Sequence, residues 1–219
     1  LKKFSFIICW ISGICTVCLL CLYQPFMELW VGKELMLSFY AVICFSIYFF
    51  IRQLNGLLNL YKDASGMWHE DRYRPLIAAL TNLILNIILV RIIGIYGILL
   101  STVIAVLIVG IPWLLHNLFT YVFERDCLAL YLKKIVGYVV VITISCVVTY
   151  YICSQIVLPT ILNLVVRAII CCILPNFIYY MVYHNCDEFQ QAVLLHCEGY
   201  ERSEGASKHR VIHMNFLFI

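Results

Sequence analysis

Charge is scarce in this sequence. Asp, Glu, Lys and Arg make up 12% of its 219 residues and 64% are hydrophobic, whereas charged residues form about a quarter of a soluble domain. Its apolar residues gather in blocks about twenty long, the length that spans a hydrocarbon core of about 30 Å. A soluble protein of this size has no interior large enough to hide so many such blocks. The composition therefore excludes an ordinary soluble domain.

Catalytic signatures are missing too. The chain contains no GxxxxGK[ST] phosphate loop, no HExxH pair and no Gly-x-Ser-x-Gly elbow. No Asp or Glu falls inside an apolar block, so neither a general acid/base pair nor an acidic proton relay is evident there. We expect no enzyme activity, no cofactor, no metal and no nucleic-acid partner. Solenoid repeats and low-complexity segments are also absent. The chain opens on Leu1 rather than Met, and we expect it to be a piece of a longer protein. Lys2-Lys3 before an apolar run imitates a signal peptide. That reading fails because five comparable blocks follow and no small-x-small cleavage site is present.

Cysteine, by contrast, is abundant, with twelve residues. In a small secreted domain that number would suggest a disulfide framework. Here Cys9, Cys15, Cys18, Cys21, Cys44, Cys146, Cys153, Cys171 and Cys172 lie inside apolar runs. Cys15, Cys18 and Cys21 have zinc-like spacing, but no His or carboxylate is near them in sequence. We read them as small, polarizable packing residues.

The hydrophobic blocks predict an all-α integral membrane protein with six transmembrane helices, at about residues 4–23, 35–54, 76–93, 98–118, 135–153 and 161–183. Residues 1–185 form the bundle and 186–219 a cytoplasmic tail. Gln24-Pro25 ends the first span, and Trp30 follows where an interfacial aromatic belongs. Residues 55–74 and 120–134 form polar connections, and Pro75 suits the first turn of a helix. Gly94 to Gly97 makes a tight hairpin. Pro112 and Pro175 fall inside spans and predict kinks.

The basic residues set an orientation. With the N-terminus inside, Lys2, Lys3, Arg72, Arg74, Arg125 and seven others share the inner side, and only Lys33 and Arg91 lie outside. This positive-inside bias predicts cytoplasmic N- and C-termini.

Five residues are candidates for substrate contact. Arg167 lies a turn or two inside the sixth span, where an arginine costs roughly 2.5–3.5 kcal/mol at mid-helix. It either faces a cavity and attracts a phosphate or snorkels to the nearer interface. Asn82 and Asn86 share one face of the third span, as a polar stripe along a path or as hydrogen-bonding glue between helices. Arg72 and Arg74, just before Pro75, either hold a phosphate at the helix N-terminus or anchor the chain on anionic lipid. Lys133-Lys134 have the same two readings. His209 and His213 read as polar surface.

One segment is recognisable. Asp63-Ala-Ser-Gly-Met-Trp-His-Glu-Asp-Arg-Tyr-Arg-Pro75 is followed by Asn82-Leu-Ile-Leu-Asn86 and then by Gly94-Ile-Tyr-Gly-Ile-Leu-Leu-Ser-Thr102. This resembles the Wzx-type flippases of O-antigen and capsule biosynthesis, in the multidrug/oligosaccharidyl-lipid/polysaccharide exporter superfamily. Leu29-Trp-Val-Gly32 matches another recurring element of that family. The resemblance runs from about residue 28 to 102; the last two spans fit by hydropathy only. It implies two helical lobes that alternate access to a central cavity, of which this chain supplies the C-terminal part. It also implies an undecaprenyl-pyrophosphate-linked oligosaccharide as cargo in the bacterial cytoplasmic membrane, with membrane lipids and the polysaccharide polymerase machinery as partners. The first lobe, which would supply much of a cationic cavity, is not in this sequence. Three other readings stay open: a drug exporter of the same superfamily, a membrane enzyme of envelope polysaccharide biosynthesis, and a purely structural membrane subunit. The first would show an acidic residue within a span, the second a large outer loop or paired catalytic groups.

Overall fold

The computed structural model of the chain describes residues 1–156, 158–186 and 189–190. Most of the expected tail, including His209 and His213, lies outside the described residues. Within them the fold is all-helical. It consists of α1 (Lys2–Trp30), a short 3-10 turn (Lys33–Leu35), α2 (Phe39–Ala64), α3 (Trp68–Asp71), α4 (Arg74–Ile93), α5 (Ile95–Ala105), α6 (Ile111–Tyr121), α7 (Cys127–Ser154) and α8 (Thr160–Tyr183). A π-helical segment, Val106–Gly110, joins α5 to α6. Six continuous stretches of 23 to 29 residues are apolar enough to cross a membrane. At 1.5 Å per residue each reaches about 35–44 Å, so all exceed the hydrocarbon thickness. The chain is a multi-pass, all-α membrane protein.

α1 occupies the centre and packs against α2, α7 and α8. Its inward face carries Phe6 and Cys9, which meet Phe50 and Leu54 of α2, Tyr138 and Ile142 of α7 and Tyr179 of α8. Trp10 stacks on Tyr179 at 12° and donates from Nε1 to Asn176 Oδ1 at 3.0 Å. That bond gives a half-buried indole its partner and fixes the rotation of α8 against α1. A second cluster gathers Leu58, Met67, Leu114, Leu118 and Tyr131, with Leu1, Phe123 and Cys127 packed on it. The N-terminus and the connections 65–73 and 122–126 therefore share one end of the bundle. Gly32, Ser38 and Tyr96 mark the other end, where the Ser38 and Tyr96 hydroxyls share a 2.6 Å hydrogen bond.

α4 is the outlier. It packs on α5 and the π segment, and none of its residues is buried, although it is apolar on every side but the Asn82–Asn86 stripe that faces α5. Exposed Leu80, Ile84, Ile87 and Ile88 need lipid or another protein surface to cover them. The α4–α5 hairpin closes through Gly94, whose φ of +62° favours a residue without Cβ. Its helices approach closely because Gly97, Ser101 and Ala105, all small and buried, repeat every fourth residue on the facing side.

The helices run past the expected boundaries, and the reasons are local. Pro25 does not end the first span. It is buried within α1, which continues to the 72%-exposed Trp30; one missing N–H is tolerated where the rest of the helix is packed. α2 runs ten residues beyond the expected 54, because Asn55, Asn59 and Lys62 share one side of the helix and point into protein rather than water. α7 begins at Cys127, well before the expected 135. At Pro112, α5 and α6 continue one another through the π segment, where the Ile111 N–H reaches back to the Val106 carbonyl. The wider turn makes room for a ring that cannot donate.

Two helix-interior glycines have open space where a Cβ would go, Gly56 and Gly137. Gly137→Ala is expected to stabilise the protein by about 0.4–1 kcal/mol through loss of unfolded-chain entropy. An unfolding midpoint below that of the parent in mixed micelles would contradict the open space.

Candidate functional site

The charged residues of the connection between α2 and α4 are folded into a cluster that the sequence reading treated as a loop. Asp71 is at its centre, with a side chain only 4% exposed. Its Oδ1 accepts from Arg74 Nε at 2.6 Å and its Oδ2 from Arg74 Nη2 at 2.8 Å, a bidentate pair. Lys62 Nζ lies 3.4 Å from Asp71 Oδ2 and 2.7 Å from Asp63 Oδ1. Arg74 Nη2 also donates to Asn59 Oδ1 at 2.7 Å, and Lys62 sits 4.3 Å from the centre of the Trp68 ring. Two cations and two carboxylates make the cluster neutral, as partial burial demands. It ties the end of α2 to the start of α4.

The expected pair Arg72 and Arg74 is therefore divided. Arg74 faces the cluster, where a carboxylate and an amide already engage it. Arg72 is exposed and lies over the Tyr73 ring at 4.5 Å. The two do not form a common phosphate clamp at the N-terminus of α4. Arg72 has the geometry of a surface cation.

Asn82 and Asn86 face α5. Ser101 Oγ donates to Asn86 Oδ1 at 2.5 Å and Thr102 Oγ1 to Asn82 Oδ1 at 3.4 Å. Their carbonyl oxygens thus join the two helices of the hairpin. Arg167 lies about 10 Å along α8 and is half-buried. Its Nε donates to Asn163 Oδ1 one turn back, at 2.8 Å. Among the described residues no carboxylate lies within ion-pair distance of it. The stem lies toward the nearer end of the helix, the direction in which a snorkelling arginine extends. Arg167 is on α8, the asparagine pair is well along α4 and the ion cluster lies at the α2–α4 connection, and the structure does not bring them into one pocket.

Sequence reasoning missed Lys62, Asp71 and Asn59 as a set. The signal was available: Asn55, Asn59 and Lys62 recur at helical spacing and continue the face of Leu54, Leu58 and Tyr61. The α3 turn is held by Glu70, whose carbonyl accepts from Trp113 Nε1 at 3.4 Å and Asn117 Nδ2 at 3.3 Å. Asn55 Oδ1 is buried without a hydrogen-bond partner, close to where a side chain on Gly110 would begin. Beside the cluster's end of the bundle, a cavity of about 480 Å³ is lined by Lys2, Lys3, Phe119, Phe123, Glu124 and Tyr131. Among the described residues, Cys21, Cys153 and Cys171 are the one group of three metal-binding side chains close enough to share an ion. No family model, curated protein or solved structure matches the chain.

Proposed function

We propose that this chain is the C-terminal part of a flippase that carries undecaprenyl-pyrophosphate-linked oligosaccharide repeat units across the bacterial cytoplasmic membrane by alternating access. The observation that carries this reading is the segment from Asp63 to Thr102. Its residues resemble the flippase family over their length, and they fold as one tied unit, from the ion cluster to the Asn–Ser/Thr bonds of the hairpin. A pyrophosphate-bearing sugar headgroup cannot cross hydrocarbon unaided, because its charges and hydroxyls lose their water. A wet path with cations lowers that barrier while the polyprenyl tail stays in lipid. The exposed apolar side of α4, with Leu80, Ile84, Ile87 and Ile88, offers a face for the other lobe or for lipid.

The bundle end bearing Lys2, Lys3, Lys62, Arg72 and Arg74 faces the cytoplasm in this reading, by the positive-inside rule. The protein moves its cargo without altering it, and hands it to polymerase machinery outside. Arg167 is the cation we assign to the pyrophosphate, since Asn163 is its polar partner and no carboxylate among the described residues neutralises it.

Complementation tests both statements separately. The complete protein is expected to restore surface polysaccharide to a flippase-deficient strain, and Arg167→Ala to lower that polysaccharide at least tenfold at equal membrane abundance. Failure of the parent protein in strains for several repeat-unit chemistries would remove the flippase reading. Full restoration by Arg167→Ala would leave the reading intact and return Arg167 to snorkelling.

A further inference from the structure

Three helices each deliver a buried thiol to one place. Cys21 of α1, Cys153 of α7 and Cys171 of α8 are 2%, 1% and 0% exposed, and their sulfur atoms all lie within 4.8 Å of one another. All three are free cysteines. Cys18, one turn before Cys21, contacts the Cys171 thiol, which also contacts Cys21. Sulfurs that share one ion at about 2.3 Å sit about 4 Å apart in a trigonal array. The thiols are already near that spacing.

The backbone carbonyls beside two of them also lack their usual helical donors. Cys21 lies four residues before Pro25 and Cys171 four residues before Pro175, and both prolines are inside their helices. Each proline lacks the N–H that would ordinarily bond the carbonyl of its cysteine. Two of the three helices thus each lack one backbone hydrogen bond at the thiol cluster. One turn before Cys153, the hydroxyl of Thr149 is fully buried and has no hydrogen-bond partner. Cys15 and Cys18 line a groove of about 740 Å³ between α1 and α8. Together with Cys21 they form a row of thiols leading from that groove to the cluster.

We propose that Cys21, Cys153 and Cys171 bind a soft monovalent d10 metal ion, of the Cu(I) or Ag(I) class, with Cys18 as the entry ligand. The ligand set selects the ion: sulfur alone, with no imidazole or carboxylate in the group, suits a soft metal. Burial selects the charge. A monovalent ion that displaces one thiol proton leaves one thiolate, two thiols and a neutral site, whereas a divalent ion has to displace two. The site is independent of the flippase reading.

The test is a Cu(I) titration of the purified, reduced full chain under anaerobic conditions, against a chelator of known affinity, with Zn(II) run in parallel. One Cu(I) per chain is expected to resist the chelator, with about one proton released and only sulfur neighbours in X-ray absorption. Cys21→Ala, Cys153→Ala and Cys171→Ala should each weaken retention at least tenfold, and Cys44→Ala should not. To separate metal binding from packing, Cu(I) should also raise the unfolding midpoint of the parent and of Cys44→Ala but not that of the triple variant. Equal retention by the triple variant, preference for Zn(II), or a disulfide among these cysteines in place of metal uptake would each overturn the proposal.

Discussion

Asp71→Asn is expected to destabilise the protein by about 3–5 kcal/mol, the usual consequence of removing one partner from a buried ion pair. The carboxylate is 4% exposed and holds both Arg74, at 2.6 Å, and Lys62, at 3.4 Å. An amide in its place leaves the Arg74 guanidinium, 11% exposed, without a carboxylate. Lys62 keeps only Asp63, whose side chain is 46% exposed. Two cations then sit in a nearly closed pocket against one screened anion. A loss of that size is a large share of the 5–15 kcal/mol that holds a typical domain folded. Arg72→Gln, on the exposed neighbour outside the cluster, should change stability by no more than about 0.5 kcal/mol. Asp71→Leu combined with Arg74→Met should recover much of the loss, because a well-packed apolar pair replaces a buried ion pair at little cost. Reversible unfolding in mixed micelles reads all three variants. Equal midpoints for Asp71→Asn and Arg72→Gln would show that the cluster does not hold α2 to α4.

Gly97→Ala is expected to cost about 3 kcal/mol or more, at the upper end of overpacking effects. A Cβ there would lie 2.5 Å from the carbonyl carbon of Leu89, 2.6 Å from its oxygen and 2.7 Å from the nitrogen of Val90. All three are backbone atoms, so no side-chain rotation relieves the overlap and the α4–α5 hairpin has to spread. Spreading strains the Asn86–Ser101 and Asn82–Thr102 bonds at the same time. The same methyl group at Gly137 meets open space, so the two substitutions should move stability in opposite directions. A Gly97→Ala protein as stable as the parent would mean that the hairpin is not packed this closely.

How much of this was legible in the sequence varied with distance along the chain. The six spans were readable because a lipid-crossing helix must satisfy its backbone internally and clothe it with apolar residues, and both requirements act locally. Their ends were not. Pro25 and the run from Asn55 to Lys62 look like terminators, and only packing against other helices lets a helix continue through them. The hairpin at Gly94 was visible from its glycines, whereas the close contact at Gly97 depended on the matching stripe of Ser101 and Ala105. Arg72 and Arg74 were noticed for their charge, but only the fold shows that Asp71 engages one and not the other. The thiol cluster was the least readable. Cys21, Cys153 and Cys171 come from the first, fifth and sixth spans, and nothing short of helix packing puts them side by side. The i, i+3, i+6 pattern of Cys15, Cys18 and Cys21 was the one local trace of it.

The layout of the bundle in the membrane is the claim on which the transport reading rests, and reporter fusions measure it directly. Alkaline phosphatase joined after Gly66 or after Arg125 should be inactive, and joined after Gly32 or Gly94 should be active, with a cytoplasm-dependent fluorescent reporter giving the reverse pattern. An active phosphatase after Gly66 would place the Lys62–Asp71–Arg74 cluster outside the cell and contradict the account.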